Sequence, residues 1–157
     1  ADIEQPYIEG GFPKALSHRI ATLHLMTPAL DVVNIASSRN LAVEEVAAVY
    51  FGLGESLGLK WFRRHIEALS VDGQWHAHAR GNLRSELYSH HRRLTSQVLD
   101  NTGDSDKPVA SWLELHRFDV DRVIEMMQDM RNLQRMDYAT LSVAVRSLGH
   151  LISATEE

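Results

Sequence analysis

The chain has no cysteine. Disulfides, thiolate nucleophiles and cysteine metal ligands are therefore excluded, and the composition suits the cytoplasm, where we expect the protein to reside. No run of about 18 consecutive apolar residues is available to span a bilayer. The first residues lack the charged-then-apolar pattern and small-residue cleavage site of a secretory signal, so no membrane partner is expected. Positive charge is short as well: 16 lysines and arginines face 21 aspartates and glutamates, for a formal net charge of −5. Nucleic-acid affinity comes mainly from cations that neutralise phosphates, so no nucleic-acid partner is expected either. The chain begins ADIEQPYIEGG without an initiator methionine, which suggests a piece of something longer.

The chain does have helical periodicity. Its 157 residues, 44% hydrophobic and 24% charged, are enough for one soluble domain with a real core. Residues 1–12, with Pro6, Gly10 and Gly11, read as a leading segment or linker, and residues 13–157 as a single helical domain. Leu16, Ile20 and Leu23 recur at helical spacing. Thr27 followed by Pro28 reads as a cap and a first helical position, restarting a second helix with Leu30, Val33 and Ile35. Val43, Val46, Tyr50, Leu53 and Leu57 form the next stripe, closed by Gly58. A short helix with Trp61, Phe62, Ile66 and Leu69 ends at Asp72 and Gly73.

The longest helix is expected from about Gln74 to Leu99, with Ala79, Leu83, Leu87, Leu94 and Val98 on one face. After a solvated loop at 100–107, Pro108 opens a helix carrying Trp112 and Leu115. Asp119 is expected to cap another, with Val123, Met126 or Met127, Met130 and Leu133. Leu141, Val145, Leu148 and Ile152 mark the last. No segment alternates polar and apolar residues over a strand length. The fold class is all-α: a bundle of about seven or eight helices with one long central helix.

Within that central helix, WHAHARGNLRSELYSHHRRL (residues 75–94) gathers four histidines and four arginines. Two helical side chains share a metal when they stand three or four residues apart. His76 and His78 instead point about 200° apart, and His76 and His90 lie about 21 Å apart along the axis. Only Glu86 and His90 have usable spacing, and a weak side-chain pair is the ordinary reading of that arrangement. By phase, His90 belongs to the packed interface as a hydrogen-bonded member. His91 falls at the edge of the stripe, His76 near it at the helix start, and His78 faces water. Arg80, Arg84, Arg92 and Arg93 make the stretch locally basic: a solvated flank, or a docking face for a carboxylate- or phosphate-bearing partner.

GLGESLG (residues 52–58) only approximates a dinucleotide loop. Its last glycine gap is one residue too long, and no strand precedes it. Gly52 and Gly54 inside a helix instead imply a close neighbour, at a propensity cost of about 1 kcal/mol each. No nucleophilic serine motif, phosphate-binding loop or paired bundle carboxylates occur. We therefore assign no catalytic, cofactor-binding or metal residues. The three tryptophans and the methionines of EMMQDM (125–130) read as core.

Four segments, LDVVNIASS (30–38), VEEVAAVYFGLGESLGLKWFRRHIEAL (43–69), WHAHARGNLRSELYSHHRRLT (75–95) and LSVAVRSLGHL (141–151), resemble the C-terminal helical region of the large bacterial NAD-specific glutamate dehydrogenases. The resemblance runs from about residue 16 onward and consists of packing patterns rather than chemical motifs. It implies a parent enzyme that interconverts L-glutamate and NAD with 2-oxoglutarate, ammonia and NADH, in a long cytoplasmic subunit that forms homo-oligomers. The chemistry and the NAD would belong to a catalytic domain earlier in the chain. This stretch would be non-catalytic, with that domain and neighbouring subunits as its partners, supporting assembly or regulation. The alternative is a free-standing binding module with a basic face at Arg80, Arg84 and Arg92.

Overall fold

The structure is a computed structural model that describes residues 4–103, 105–133 and 136–156. Among them are eight helices and no strand: α1 (Gln5–Glu9), α2 (Lys14–Arg39), α3 (Val43–Ser56), α4 (Leu59–Glu67), α5 (Gln74–Asn101), α6 (Pro108–Leu115), α7 (Arg117–Arg131) and α8 (Tyr138–Thr155). The all-α expectation is met. The chain divides into two compact units, Ala1–Val43 and Glu44–Glu157.

In the first unit, α1 forms within the leading segment, whose first three residues lie outside the described ones. It is held to α2 by a 2.7 Å hydrogen bond between the Tyr7 hydroxyl and His24 Nε2, and by Glu4 Oε1 at 2.7 Å from His18 Nδ1. The helix break expected at Thr27–Pro28 does not occur, because α2 runs through Pro28. A proline there removes the amide that would bond the His24 carbonyl and costs about 3 kcal/mol in a helix interior. Pro28 is itself buried, and burial of its ring and its neighbours offsets part of that cost. The helix ends where Asn40 turns left-handed, φ 54° and ψ 43°, with its N–H directed to the carbonyls of Ala36 and Ser37. Asparagine tolerates this conformation better than most residues.

The buried face of α2 also differs from expectation. Ser17, Ala21, Pro28, Asp31, Val32 and Ile35 are buried, whereas the expected core residues Leu16, Leu23, Leu30 and Val33 are exposed. Periodicity identified an apolar stripe correctly; it could not distinguish that stripe from a second one on the opposite side. By length and average composition, α2 is also the helix among those described that could cross a bilayer. Its apolar residues form no unbroken run, since His18, Arg19, His24 and Asp31 interrupt them.

In the second unit, α5 is central: it packs on α4, α6 and α8, while α8 also meets α4 and α7. Leu83, Leu87, Leu94 and Val98 of α5 and Leu141, Val145, Leu148 and Ile152 of α8 lie in one apolar cluster, joined by Phe62, Ile66, Met127 and Met130. Trp112 is fully buried, as expected, and Trp61 packs against the cluster. Trp75 is 77% exposed, which overturns its core assignment. The first turn of α5, residues 74–78, is uncovered throughout, so an apolar side chain there has nothing to pack on. Leu115 and Leu133 are likewise exposed, at the end of α6 and just past the end of α7. Asp119 lies in the first turn of α7 rather than at its cap, which is His116. The loop expected at 100–107 begins only after Asn101, and Asp104 lies outside the described residues.

Candidate functional site

The histidine- and arginine-rich stretch of α5 is the natural place to look for chemistry, and the fold separates its members. His76 and His78 are exposed in the first turn, so the expected place of His76 near the packed stripe is not realised. His91 is 3% exposed. Its Nε2 donates to the Tyr50 carbonyl of α3 at 2.7 Å, and its ring stacks on the Tyr50 ring with centroids 3.6 Å apart. Burial pushes the imidazole down to about 4, and the guanidinium groups of Arg63 and Arg92 act in the same direction against the Tyr50 carbonyl. Near neutral pH this ring is a fixed neutral donor, not a switch.

His90 was expected to be the hydrogen-bonded interface member and His91 the peripheral one. The two assignments are reversed. His90 is half-buried, and neither ring nitrogen makes a hydrogen bond; its Nε2 stands 3.5 Å from Glu86 Oε1, at the outer reach of an ion pair. Burial lowers its pKa and Arg93 adds to this, with Glu86 opposing. Consecutive residues point about 100° apart, so a helix covered on two sides buries both. Each ring fits against a glycine. A Cβ on Gly54 of α3 would stand 3.2 Å from His91 Cε1, and one on Gly149 of α8 the same distance from His90 Cε1. The glycines of GLGESLG thus serve close packing, as expected: Gly52 likewise accommodates Val109 of α6. Gly58 takes the left-handed turn, φ 63°, between α3 and α4.

The basic flank turns inward. Arg84 grips Glu67 of α4 with two hydrogen bonds, Nε to Oε1 at 2.6 Å and an Nη to Oε2 at 2.9 Å. Arg80 reaches the carbonyls of Glu67 and Leu69 at 3.5 Å, where the end of α4 leaves acceptors unsatisfied. Arg93 pairs with Glu156 after α8. Arg92 is half-buried and close enough to His91 to disfavour its protonation. Arg80 and Arg84 therefore fasten α4 to α5 and do not present a free basic face, which removes the basis for the free-standing module. The flank looked unopposed because Glu67 lies 17 residues before Arg84, outside any helical neighbour rule.

A second buried polar contact was not foreseen: the Gln97 amide donates to the Ile152 carbonyl at 3.0 Å, and the Thr155 hydroxyl donates to Gln97 Oε1 at 2.8 Å. These bonds fix the register of α5 against α8. The only sequence signal was one glutamine on an otherwise apolar stripe. Among the described residues no three histidines, aspartates or glutamates gather as a metal set. An open groove of about 640 Å³ between α7 and α8 brings Asp119, Arg122, Ser147 and His150 to one surface.

A family model described as glutamate dehydrogenase, C-terminal, matches residues 2–150. The NAD-specific glutamate dehydrogenase of Pseudomonas aeruginosa is 33% identical over 156 residues, which cover 97% of this chain and 10% of that protein. Its counterpart in Mycobacterium tuberculosis is 31% identical over 141 residues, 88% of this chain and 9% of that protein. That of Halomonas elongata is 27% identical over 156 residues, 98% and 10%. The chain thus spans about a tenth of the length of the curated relatives it matches. No solved structure shows a significant match. A helical unit whose notable polar residues join its own helices, matched across nearly its whole length, belongs to the glutamate dehydrogenase C-terminal family.

Proposed function

We propose that this chain is the non-catalytic, C-terminal helical part of a long NAD-dependent glutamate dehydrogenase, and that it supports subunit assembly or regulation. The parent reaction is the oxidative deamination of L-glutamate to 2-oxoglutarate with NAD. Cofactor and substrate are held elsewhere in the subunit, which works in the cytoplasm as a homo-oligomer. The partners of this part are the catalytic domain of its own subunit and neighbouring subunits. One observation carries the reading: the family match covers residues 2–150 while the relatives are about ten times as long. The polar geometry agrees, since Arg84–Glu67, His91–Tyr50 and Gln97–Thr155 all fasten helix to helix.

Two measurements test the proposal. The purified 157-residue chain, mixed with L-glutamate and NAD, is expected to yield no NADH; sustained turnover by a clean preparation would refute the non-catalytic assignment. Deleting residues 16–157 from the full-length protein is expected to change its mass in solution or its glutamate-dependent NAD reduction. If both stay the same, the supporting role is lost.

A further inference from the structure

Phe12, Leu16, Leu23, Met26, Leu30 and Val33 are all exposed. From Leu23 onward they repeat at alternating intervals of three and four, and Phe12 and Leu16 continue the same frame toward the N-terminus. That is the 3.5-residue repeat by which one helix receives another. At about 100° per residue Leu16, Leu23, Met26, Leu30 and Val33 share one flank of α2, roughly opposite Ser17, Ala21, Pro28, Val32 and Ile35, which are buried. Only Arg19 interrupts the frame before Ser37 ends it. The stripe from Leu16 to Val33 runs about 26 Å along the axis. A helix apolar on opposite faces is characteristic of an interior element of something larger.

Resting on the dehydrogenase reading above, we infer that this stripe is a helix-docking seam whose occupant is a helix from the part of the same longer chain outside these 157 residues. Three observations select that occupant. The matched relatives carry about nine-tenths of their length outside the matched stretch, so most of such a chain is left to supply the occupant. The positions flanking the seam are small or uncharged: Ala15, Thr22, Ala29 and Ala36 on one side, Ile20, Thr27 and Asn34 on the other. Free helices that must find one another use charges there to select partner and register. A tethered partner needs none, because the linker holds it at high effective concentration. Finally, the buried Asp31 and the histidines His18 and His24 lie within α2, and ionisable groups are costly inside a bilayer. Small flanking residues also let a second helix approach closely.

The test uses the full-length protein, with a photo-crosslinking amino acid in place of Leu23 and, in a second preparation, of Leu30. Irradiation in dilute solution is expected to give an adduct that migrates as a single chain and maps to a peptide outside residues 1–157. Crosslinks between two copies, adducts with lipid, or no protein crosslink from either position would each overturn the seam. Glutamate-dependent NAD reduction by the same preparations separates the two ideas. Normal turnover without an intramolecular crosslink rejects the seam and leaves the dehydrogenase reading intact; the crosslink without turnover by the unmodified full-length protein does the reverse.

Discussion

His91 of α5 donates a 2.7 Å hydrogen bond to the carbonyl of Tyr50 in α3 while lying flat on the same tyrosine, ring centroids 3.6 Å apart. Because a carbonyl can only accept, Nε2 carries the ring proton, an assignment made from the partner. Burial holds the folded pKa at about 4, below the ordinary 6.5 of an imidazole. Between those values the unfolded chain binds a proton that the folded chain does not. Stability from this group is therefore fully present above about pH 6.5 and is lost as pH falls toward 4, on the order of 3 kcal/mol in all. Urea unfolding between pH 7.5 and 5 should show a steeper loss in the parent chain than in His91→Gln, which keeps a donor and does not titrate. Parallel pH curves would exclude His91 as the source.

Two glycine substitutions should have opposite signs. Replacing glycine by alanine inside a helix gains about 0.4–1 kcal/mol where there is room. A Cβ on Gly81 meets nothing within 4 Å, so Gly81→Ala should raise the thermal midpoint. At Gly54 the new methyl would press on His91 Cε1 at 3.2 Å. That ring is pinned by its hydrogen bond and its stack, so it cannot yield cheaply, and overpacking costs about 1–3 kcal/mol. Gly54→Ala should lower the midpoint. A rise at both positions would mean that His91 moves freely.

These two glycines show what the sequence could and could not convey. The stripe Leu83, Leu87, Leu94 and Val98, the course of α8 and the internal role of Gly52 and Gly54 were legible because helical period and propensity are local properties. The exchange of His90 and His91 was not, since it depends on which neighbours cover α5, and Tyr50 lies 41 residues away. Pro28 misled for a related reason: a local breaker gave way to burial. Trp75 and Leu23 show the limit of period, which marks an apolar position without saying whether anything packs there. The basic flank needed Glu67, and α4's approach to α5 is a tertiary fact.

The interface between α5 and α8 should dominate the stability of the second unit. Leu148 is fully buried in the common cluster. Truncating it to alanine removes apolar contact and leaves a cavity, at a cost of about 2–5 kcal/mol. Val143, on the same helix, is 64% exposed, so Val143→Ala should stay within about 0.5 kcal/mol of the parent. Denaturant midpoints measure both. Equal effects would mean that α8 does not bury the face described.

Arg84 and Glu67 make a two-pronged pair, yet their side chains remain 41% and 29% exposed. Water and salt screen such a pair, so its coupling should be modest, up to about 1 kcal/mol. A double-mutant cycle with Arg84→Ala and Glu67→Ala should give that coupling at low salt and a smaller one in about 1 M NaCl, where the screening length falls to about 3 Å. Arg84→Lys keeps the charge but loses the planar fork, and should forfeit most of the coupling. The lysine variant decides between shape and charge. Full coupling with lysine would make the contact a simple attraction between α4 and α5, whereas its loss would show that the guanidinium geometry sets how the two helices meet.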